Sequence, residues 1–443
     1  MAWLTNFFPH NRVFILAGTA VLLFILAYSL PVLLLPAQVF FFAMLAFVFT
    51  DILLLFRFKK GIDARRQVAE KLSNGDDNPV LVHLKNAYPF RIQATVIDEA
   101  PPQFQLRNLQ FKLALSAGAA QQITYTLRPV RRGEYHFGNL LVFVSTPLKL
   151  GIRRYAIPAA QMVPVYPAFL QMRRYELMAI SNRLSEAGIK KIRRLGHNRE
   201  FELIKEYVAG DDVRTINWKA TARKAHLMVN QYQDERSQNV YSLIDKSRVM
   251  EMPFNGMTLL DYAINASLVL SNIALLKSDK AGLLTFQDKV NTFLPAARSN
   301  RQMATILEVL YNQKTGFREA DFSAVYSQVR AKINQRSLLL LFTNFESVYG
   351  MERQLPFLRA MARFHLLVVI FFENTELNSL LNRQALTLRD IYHKGVAEKF
   401  ALDKKLIVKS LQQNGIHALL TPPEKLTVNT INKYLELKAR GYL

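Results

Sequence analysis

Between Glu200 and Lys224 the chain sets Glu200, Glu202, Lys205, Glu206, Asp211, Asp212, Arg214, Lys219, Arg223 and Lys224 around a few apolar residues. Side chains of these types can transfer protons, pair as ions or hold a cation. The neighbours Asp211 and Asp212 suit proton transfer poorly, because adjacent side chains rarely converge on one substrate. Charge of both signs beside Trp218, one of two tryptophans in the chain, implies a paired polar network instead. Gly210 ahead of two aspartates is a turn signal, since Gly accepts positive φ and Asp bonds its own backbone. The expectation is that Asp211 and Asp212 pair with Arg214 or Arg223. The plainer reading is a solvated turn whose surface ion pairs carry little energy.

The pattern Glu200-Phe201, Glu206-Tyr207, Gly210-Asp211, Arg214-Thr215-Ile216-Asn217-Trp218 and Ala222-Arg223 resembles the signature of a membrane-linked bacterial family, domain of unknown function number 58. Lys205 stands where that family usually has Arg, and Asn217 where Asp is commoner. Upstream, Arg132-Gly133-Glu134-Tyr135 and Ser145-Thr146-Pro147-Leu148 with Gly151 are similar to a second family stretch, with Thr146 replacing its Asp. Asp245-Lys246-Ser247-Arg248-Val249 resembles the Asp-x-Ser-x-Ser metal motif of von Willebrand factor A domains, which holds Mg²⁺ through hard oxygen ligands. The motif's third position is Val249, its later acid falls on Asn344, and its usual Thr falls on Ala320. This resemblance implies a degenerate metal site (Asp245, Ser247, Asn344) with no resident cofactor and weak Mg²⁺ binding at most. Asp245 then serves as a strand-end cap.

These residues need elements to position them. Val13 to Leu35 and Val39 to Phe56 are apolar runs of bilayer-spanning length, broken at Pro36-Ala37-Gln38, with Pro31 kinking the first near its end. A secretory signal would have a shorter apolar core. Residues 1–60 therefore read as a transmembrane hairpin, with spans at about 13–35 and 39–56. Arg12 before it and Arg57, Lys59, Lys60, Arg65 and Arg66 after it place both ends in the cytoplasm, facing anionic headgroups. Asp51 is the one acid inside a span; it is read as reaching the interface near Arg57 rather than as a functional intramembrane acid.

Residues 64–167 read as a small β-sandwich. Its strands include Val80–Leu84, Ile92–Val96, Ile123–Leu127 and Leu140–Val144. Residues 168–238 hold a basic connector and the signature segment. The connector carries Arg173-Arg174 and the run Lys190 to Arg194, expected to be solvated or membrane-facing. Residues 239–443 alternate apolar strands (Val240–Ile244, Ala281–Phe286, Ser337–Phe342, His365–Phe372, Ala418–Thr421) with helices (Leu259–Leu276, Gln302–Tyr311, Gln354–Arg363). That alternation predicts a doubly wound α/β domain of von Willebrand factor A-like kind, with a mostly parallel sheet and its ligand crevice at the carboxyl ends of the strands.

Composition narrows the function. The net charge is +23, which calls for an anionic neighbour, and the membrane supplies one. Nucleic acid is the weaker candidate, because no aromatics interleave with the basic run and no nucleic-acid motif accompanies it. With no cysteine there is no disulfide, thiolate metal site or cysteine nucleophile. Walker, His-Glu-x-x-His and Gly-x-Ser-x-Gly patterns are absent, and the eight histidines are scattered. The expectation is a non-enzymatic, membrane-anchored interaction protein of the bacterial inner membrane. The family resemblance implies a MoxR-type AAA+ ATPase as partner, acting in protein maturation or assembly. A metal-dependent enzyme acting on a cell-envelope substrate and a membrane-tethered nucleic-acid binder are the rival readings.

Overall fold

Proline ends the first apolar helix. The structure, a computed structural model, describes residues 6–106, 109–180, 188–189, 200–209, 211, 213–233, 237–299, 301–382, 384 and 387–442. Strand β1 (Phe7–Pro9) leads into α1 (Asn11–Ser29), whose first turn is capped by His10. Pro31 forces Leu30 into an extended conformation (φ −129°, ψ 89°) and opens a single 3₁₀ turn, Pro31–Leu33. Helix α2 (Leu34–Phe56) follows. The break between the spans thus falls at Leu30–Leu33 and not at Pro36-Ala37-Gln38. Pro36 sits in the first turn of α2, where its missing N–H has no helical partner to lose. Asn11–Ser29 and Pro31–Phe56 are long and apolar enough to cross a membrane, at 19 and 26 residues.

The described residues form two compact units, Met1–Val165 and Tyr166–Leu443. In the first, β2 (Ile62–Gln67), β3 (Leu72–Ser73), β4 (Asn78–Asn86), β5 (Ile92–Asp98), β6 (Gln110–Leu115), β7 (Ala120–Leu127), β8 (Gly133–Phe137), β9 (Leu140–Ser145), β10 (Gly151–Ile157) and β11 (Gln161–Tyr166) build three sheets. Their orders are β1-β10-β9-β5-β6, β3-β11-β8 and β2-β4-β7. Period-2 alternation turns Val80, Val82 and Leu84 of β4 and Ala94 and Val96 of β5 into one core. Within this unit the Arg66 guanidinium meets Asp98 at 2.6 Å with both side chains buried, and Tyr125 donates to the other Asp98 oxygen at 2.5 Å. Arg66 is therefore committed to the sandwich and is not free for headgroups.

The membrane hairpin joins this sandwich through Asp51. Far from reaching the interface, Asp51 is fully buried. One carboxylate oxygen accepts from the Thr146 hydroxyl, and the other accepts from the backbone N–H of Leu150 (3.2 Å) and Gly151 (2.7 Å). A Cβ at Gly151 would lie 2.8 Å from the Phe7 ring and 3.3 Å from Leu55, so this close approach needs glycine. One turn further on, Arg153 donates to the Leu55 and Phe58 carbonyls, and Tyr88 also donates to that of Leu55. An acid is tolerated in so apolar a helix because protein donors, not lipid, surround it.

The second unit opens with α3 (Phe169–Ile180), packed on α5 (Leu259–Leu276) with Tyr175 buried. One face of this part of the expected connector thus packs into the core through Tyr175, while Arg173 and Arg174 are exposed as expected of a solvated face; Lys190 to Arg194 lie outside the described residues. After the signature segment (β12 Glu200–Glu206, α4 Trp218–Lys224, β13 Met228–Gln233) come β14 (Asn239–Asp245) and a short hairpin of β15 (Pro253–Phe254) and β16 (Met257–Thr258). Beyond α5 follow β17 (Lys280–Phe286), β18 (Val290–Ala297), α6 (Gln302–Tyr311), α7 (Phe322–Lys332) and β19 (Leu338–Phe342). The chain then runs through α8 (Val348–Phe364), β20 (Leu366–Phe372), α9 (Thr375–Asn382), α10 (Leu388–Gln413), β21 (His417–Thr421) and α11 (Leu426–Ala439).

The sheet order is β18-β17-β14-β19-β20-β21, all parallel except the edge strand β18. Alternate residues of the same strands feed two cores. Val240, Ile244, Leu340 and Ile370 meet α5 and α11, whereas Leu243, Leu341, Val369 and Phe371 meet α7, α8 and α10. Helix α5 is also apolar enough to span a bilayer, yet 83% of it is buried inside this unit, so its apolarity serves the core.

Replacing Asp51 with Ala leaves two backbone N–H groups and the Thr146 hydroxyl without their acceptor. The expected cost is about 3 kcal/mol of stability in the first unit. Thermal unfolding of the full chain in detergent checks this, with Asp51→Asn, which keeps an acceptor oxygen, losing less. An unchanged midpoint for Asp51→Ala would contradict the clamp.

Candidate interaction hairpin and strand-end site

Strands β12 and β13 pair antiparallel from Glu200↔Gln233 to Glu206↔Met228, and the residues between them fold back as a braced loop. Lys205 Nζ lies 2.8 Å from Asp211 Oδ1, and Asp211 Oδ2 accepts from the Val208 N–H at 3.0 Å. The cation opposite Asp211 is thus Lys205; Asp212, the other acid expected to pair with Arg214 or Arg223, lies outside the described residues. Either Lys or Arg supplies that charge, which rationalises the departure at position 205. Asn217 is the N-cap of α4, accepting from the Ala220 N–H at 3.0 Å and donating to Asn230 at 2.8 Å. Asp caps as well as Asn, so this position tolerates both. Thr221 accepts from the Met228 N–H, and Ala225 closes α4 in the left-handed region.

The bracing residues leave a distinctive surface. Trp218 is 69% exposed, with Val208, Val213 and Leu227 also exposed beside it in sequence, and with Arg214, Lys219, Ala222, Arg223 and Lys224 open to solvent. Glu206 is exposed and Tyr207 half-buried, its N–H bonded to the Leu227 carbonyl. Gly210 and Asp212 lie outside the described residues, as do the side chains of Glu200 and Phe201.

At the carboxyl end of β14, Asp245 is fully buried. Its Oδ1 accepts from the Ser247 N–H (2.8 Å) and its Oδ2 from the Thr343 hydroxyl (2.7 Å). Burial pushes this carboxyl above the usual carboxylate range, while Ser247 and Thr343 pull it partly back. Ser247 Oγ is buried without a hydrogen-bond partner among the described residues. A cavity of about 150 Å³ adjoins these residues, with Val249, Ala320 and Asn344 in its wall and Glu319 and Arg353 also lining it.

Asn344 faces an ammonium. Lys404 Nζ donates to Asn344 Oδ1 and to the Phe345 carbonyl, both at 2.6 Å. Neither Lys404 nor Thr343 is flagged by the motif, because α10 reaches the site from far along the chain. Burial lowers the Lys404 pKa to about 8, and Glu346 opposes the shift. A second cavity, about 520 Å³ and mainly apolar, lies next to Lys404 and includes Phe254, Phe372, Leu377 and Phe400.

This donor set fits a resident Mg²⁺ poorly. Both Asp245 oxygens are already engaged, Val249 and Ala320 offer only carbon, and the Asn344 oxygen points at a positive charge. Among the described residues no group of three or more His, Asp or Glu could hold a metal.

Residues 204–396 match the family model described as "Protein of unknown function DUF58". That segment, somewhat under half of the chain, is similar to this family. It takes in the braced hairpin from Ile204 onward, the Asp245 strand end and the start of α10. The uncharacterized protein YeaD of Bacillus subtilis is 26% identical to this chain over 216 residues, covering 46% of this chain and 53% of YeaD. The uncharacterized protein Rv1480 of Mycobacterium tuberculosis is 23% identical over 202 residues, covering 45% and 62%. The aligned stretch therefore spans little more than half of these relatives. Among solved structures, BatB from Bacteroides thetaiotaomicron aligns with 46% of this chain and all of its own, at 13% identity and a TM-score of 0.29. An aerotolerance-related membrane protein from Bacteroides fragilis aligns with 46% of this chain and 99% of its own, at 11% identity and 0.30. Scores at that level say nothing about function.

Two outcomes follow from the strand-end geometry. Millimolar Mg²⁺ or Mn²⁺ leaves the unfolding temperature of the full chain unchanged; a clear rise that disappears in Asp245→Ala would contradict the metal-free reading. The Lys404 pKa is lower folded than its unfolded value of 10.5, so the unfolded chain binds more protons between pH 8 and 10.5 and stability rises with pH across that window. Wild type should therefore gain on Lys404→Met from pH 7.5 to 10, the comparison cancelling the titration of the other lysines. Parallel stability curves would contradict it.

Proposed function

We propose that this chain is a membrane-anchored interaction module of the bacterial inner membrane, with its termini and soluble portion cytoplasmic. The braced hairpin is its docking surface for a MoxR-type AAA+ ATPase that acts in protein maturation or assembly. The observation that carries this reading is the exposure of Trp218. A large indole left in solvent on a loop held by Asp211, Asn217 and Thr221 is pre-organised for contact, and tryptophan is enriched among residues that dominate binding energy. Exposed Arg223 and Lys224 at the end of α4 give the surface a positive rim that favours an acidic partner.

The orientation rests on Arg57, Lys59, Lys60 and Arg65 after the second span, against Arg12 before the first and no charge in the turn between them. The strand-end site supports a binding role over a catalytic one, since Asp245 is occupied in holding Ser247 and Thr343. In this reading the sheet is of the doubly wound von Willebrand factor A-like kind, working without its metal.

Affinity capture of the tagged full-length chain from native membranes, read by mass spectrometry, tests the proposal. Wild type should recover an AAA+ ATPase, and Trp218→Ala should weaken recovery by at least about tenfold at unchanged thermal stability. Equal recovery with both, or no ATPase with either, would overturn it.

A further inference from the structure

Helix α10 carries two apolar faces, and the protein covers only one. Ala397, Ile407 and Leu411 are buried in the core on one side of the sheet. On the opposite side Leu388, Ile391, Tyr392, Gly395, Leu402 and Leu406 fall within about 100° of one another at 3.6 residues per turn. Leu388 is 86% exposed, Tyr392 72%, Ile391 59% and Leu402 56%. A Cβ added at Gly395 would meet nothing within 4 Å, so the stripe is open along its middle as well. A 26-residue helix with this much apolar surface in water is under-satisfied unless something covers it.

Charge selects the occupant. Lys394 and Lys405 lie along one flank of the stripe with Glu398 beside them, Lys409 stands at its edge and Lys399 rises within it, while Arg389 adds a further cation at the amino-terminal end. Against these six basic residues, counting Lys404 on the covered side, the helix has the acids Asp390, Glu398 and Asp403. Apolar stripe, lysine flank and long flexible stems that keep their ammonium groups in water are the composition of a helix lying in the interface of an anionic bilayer. The chain brings its own bilayer: two helices of spanning length hold it there, so the local lipid concentration is high whatever the intrinsic affinity. We infer that the exposed face of α10 is a second, peripheral membrane contact, seated on anionic lipid with Leu388, Ile391, Tyr392 and Leu402 in the acyl boundary. The helix's own excess of basic residues suits anionic headgroups better than a self-pairing face, where lysines would oppose lysines.

The absence of cysteine makes the test direct. The full chain carrying Leu402→Cys is labelled with an environment-sensitive fluorophore and placed singly in nanodiscs of phosphatidylcholine with or without phosphatidylglycerol. The result expected is a blue-shifted emission that nitroxide-bearing acyl chains quench in the anionic discs, with less of both in neutral discs. A label at Gln412→Cys, exposed on the lysine flank about 80° round the helix from Leu402, should sit at headgroup level and show less of both. Absence of quenching at position 402 in anionic discs would overturn the inference. So would a blue shift that appears only when two copies share a disc and that lipid nitroxides leave untouched; that result would assign the stripe to self-association.

Discussion

A single carboxylate in an apolar helix sets how the first unit is put together. Asp51 costs free energy wherever it is buried unpaired, and it is held by three donors from the turn between β9 and β10. The membrane hairpin and the sandwich are therefore one body, because the clamp, the Arg153 bonds to the end of α2 and Leu55 in the sandwich core all cross between them. Gly151 is small because Phe7 and Leu55 close over it. A rigid junction at the bilayer makes the sandwich a fixed platform rather than a loose spacer.

In the second unit the constraint is burial on both faces of a parallel sheet. At the carboxyl ends of the strands a buried acid is costly unless it is paired, and Asp245 is held by Ser247 and Thr343. Lys404 reaches the neighbouring amide with an internal ammonium. The exposed chemistry lies on the braced hairpin and on the outer face of α10.

How much of this was legible in the residues follows from interaction range. The five parallel strands could be read because continuous runs such as Leu338–Phe342 have no other stable use in a soluble fold. The edge strand Val290–Ala297 is hard to read because none of its residues is fully buried and its alternation is weak. The signature residues were visible as a cluster, but the pairing of Asp211 with Lys205 was not, since spacing alone does not choose among five nearby cations. Asp51 was misjudged for a different reason. Its partners lie some hundred positions on, at Thr146, Leu150 and Gly151, and only a folded sandwich brings them to the helix. Lys404 was invisible on the same ground, and the proline break was misplaced because Pro36 is harmless in a first turn while Pro31 is not.

The account stands most directly on the hairpin being a contact surface. A photo-crosslinking amino acid placed at position 218 of the full chain and irradiated in native membranes reads that contact. A discrete protein adduct containing an AAA+ ATPase, missing when the same group is placed at buried Val229, is the predicted result. Adducts to lipid alone, or no adduct in any nucleotide state, would contradict the account.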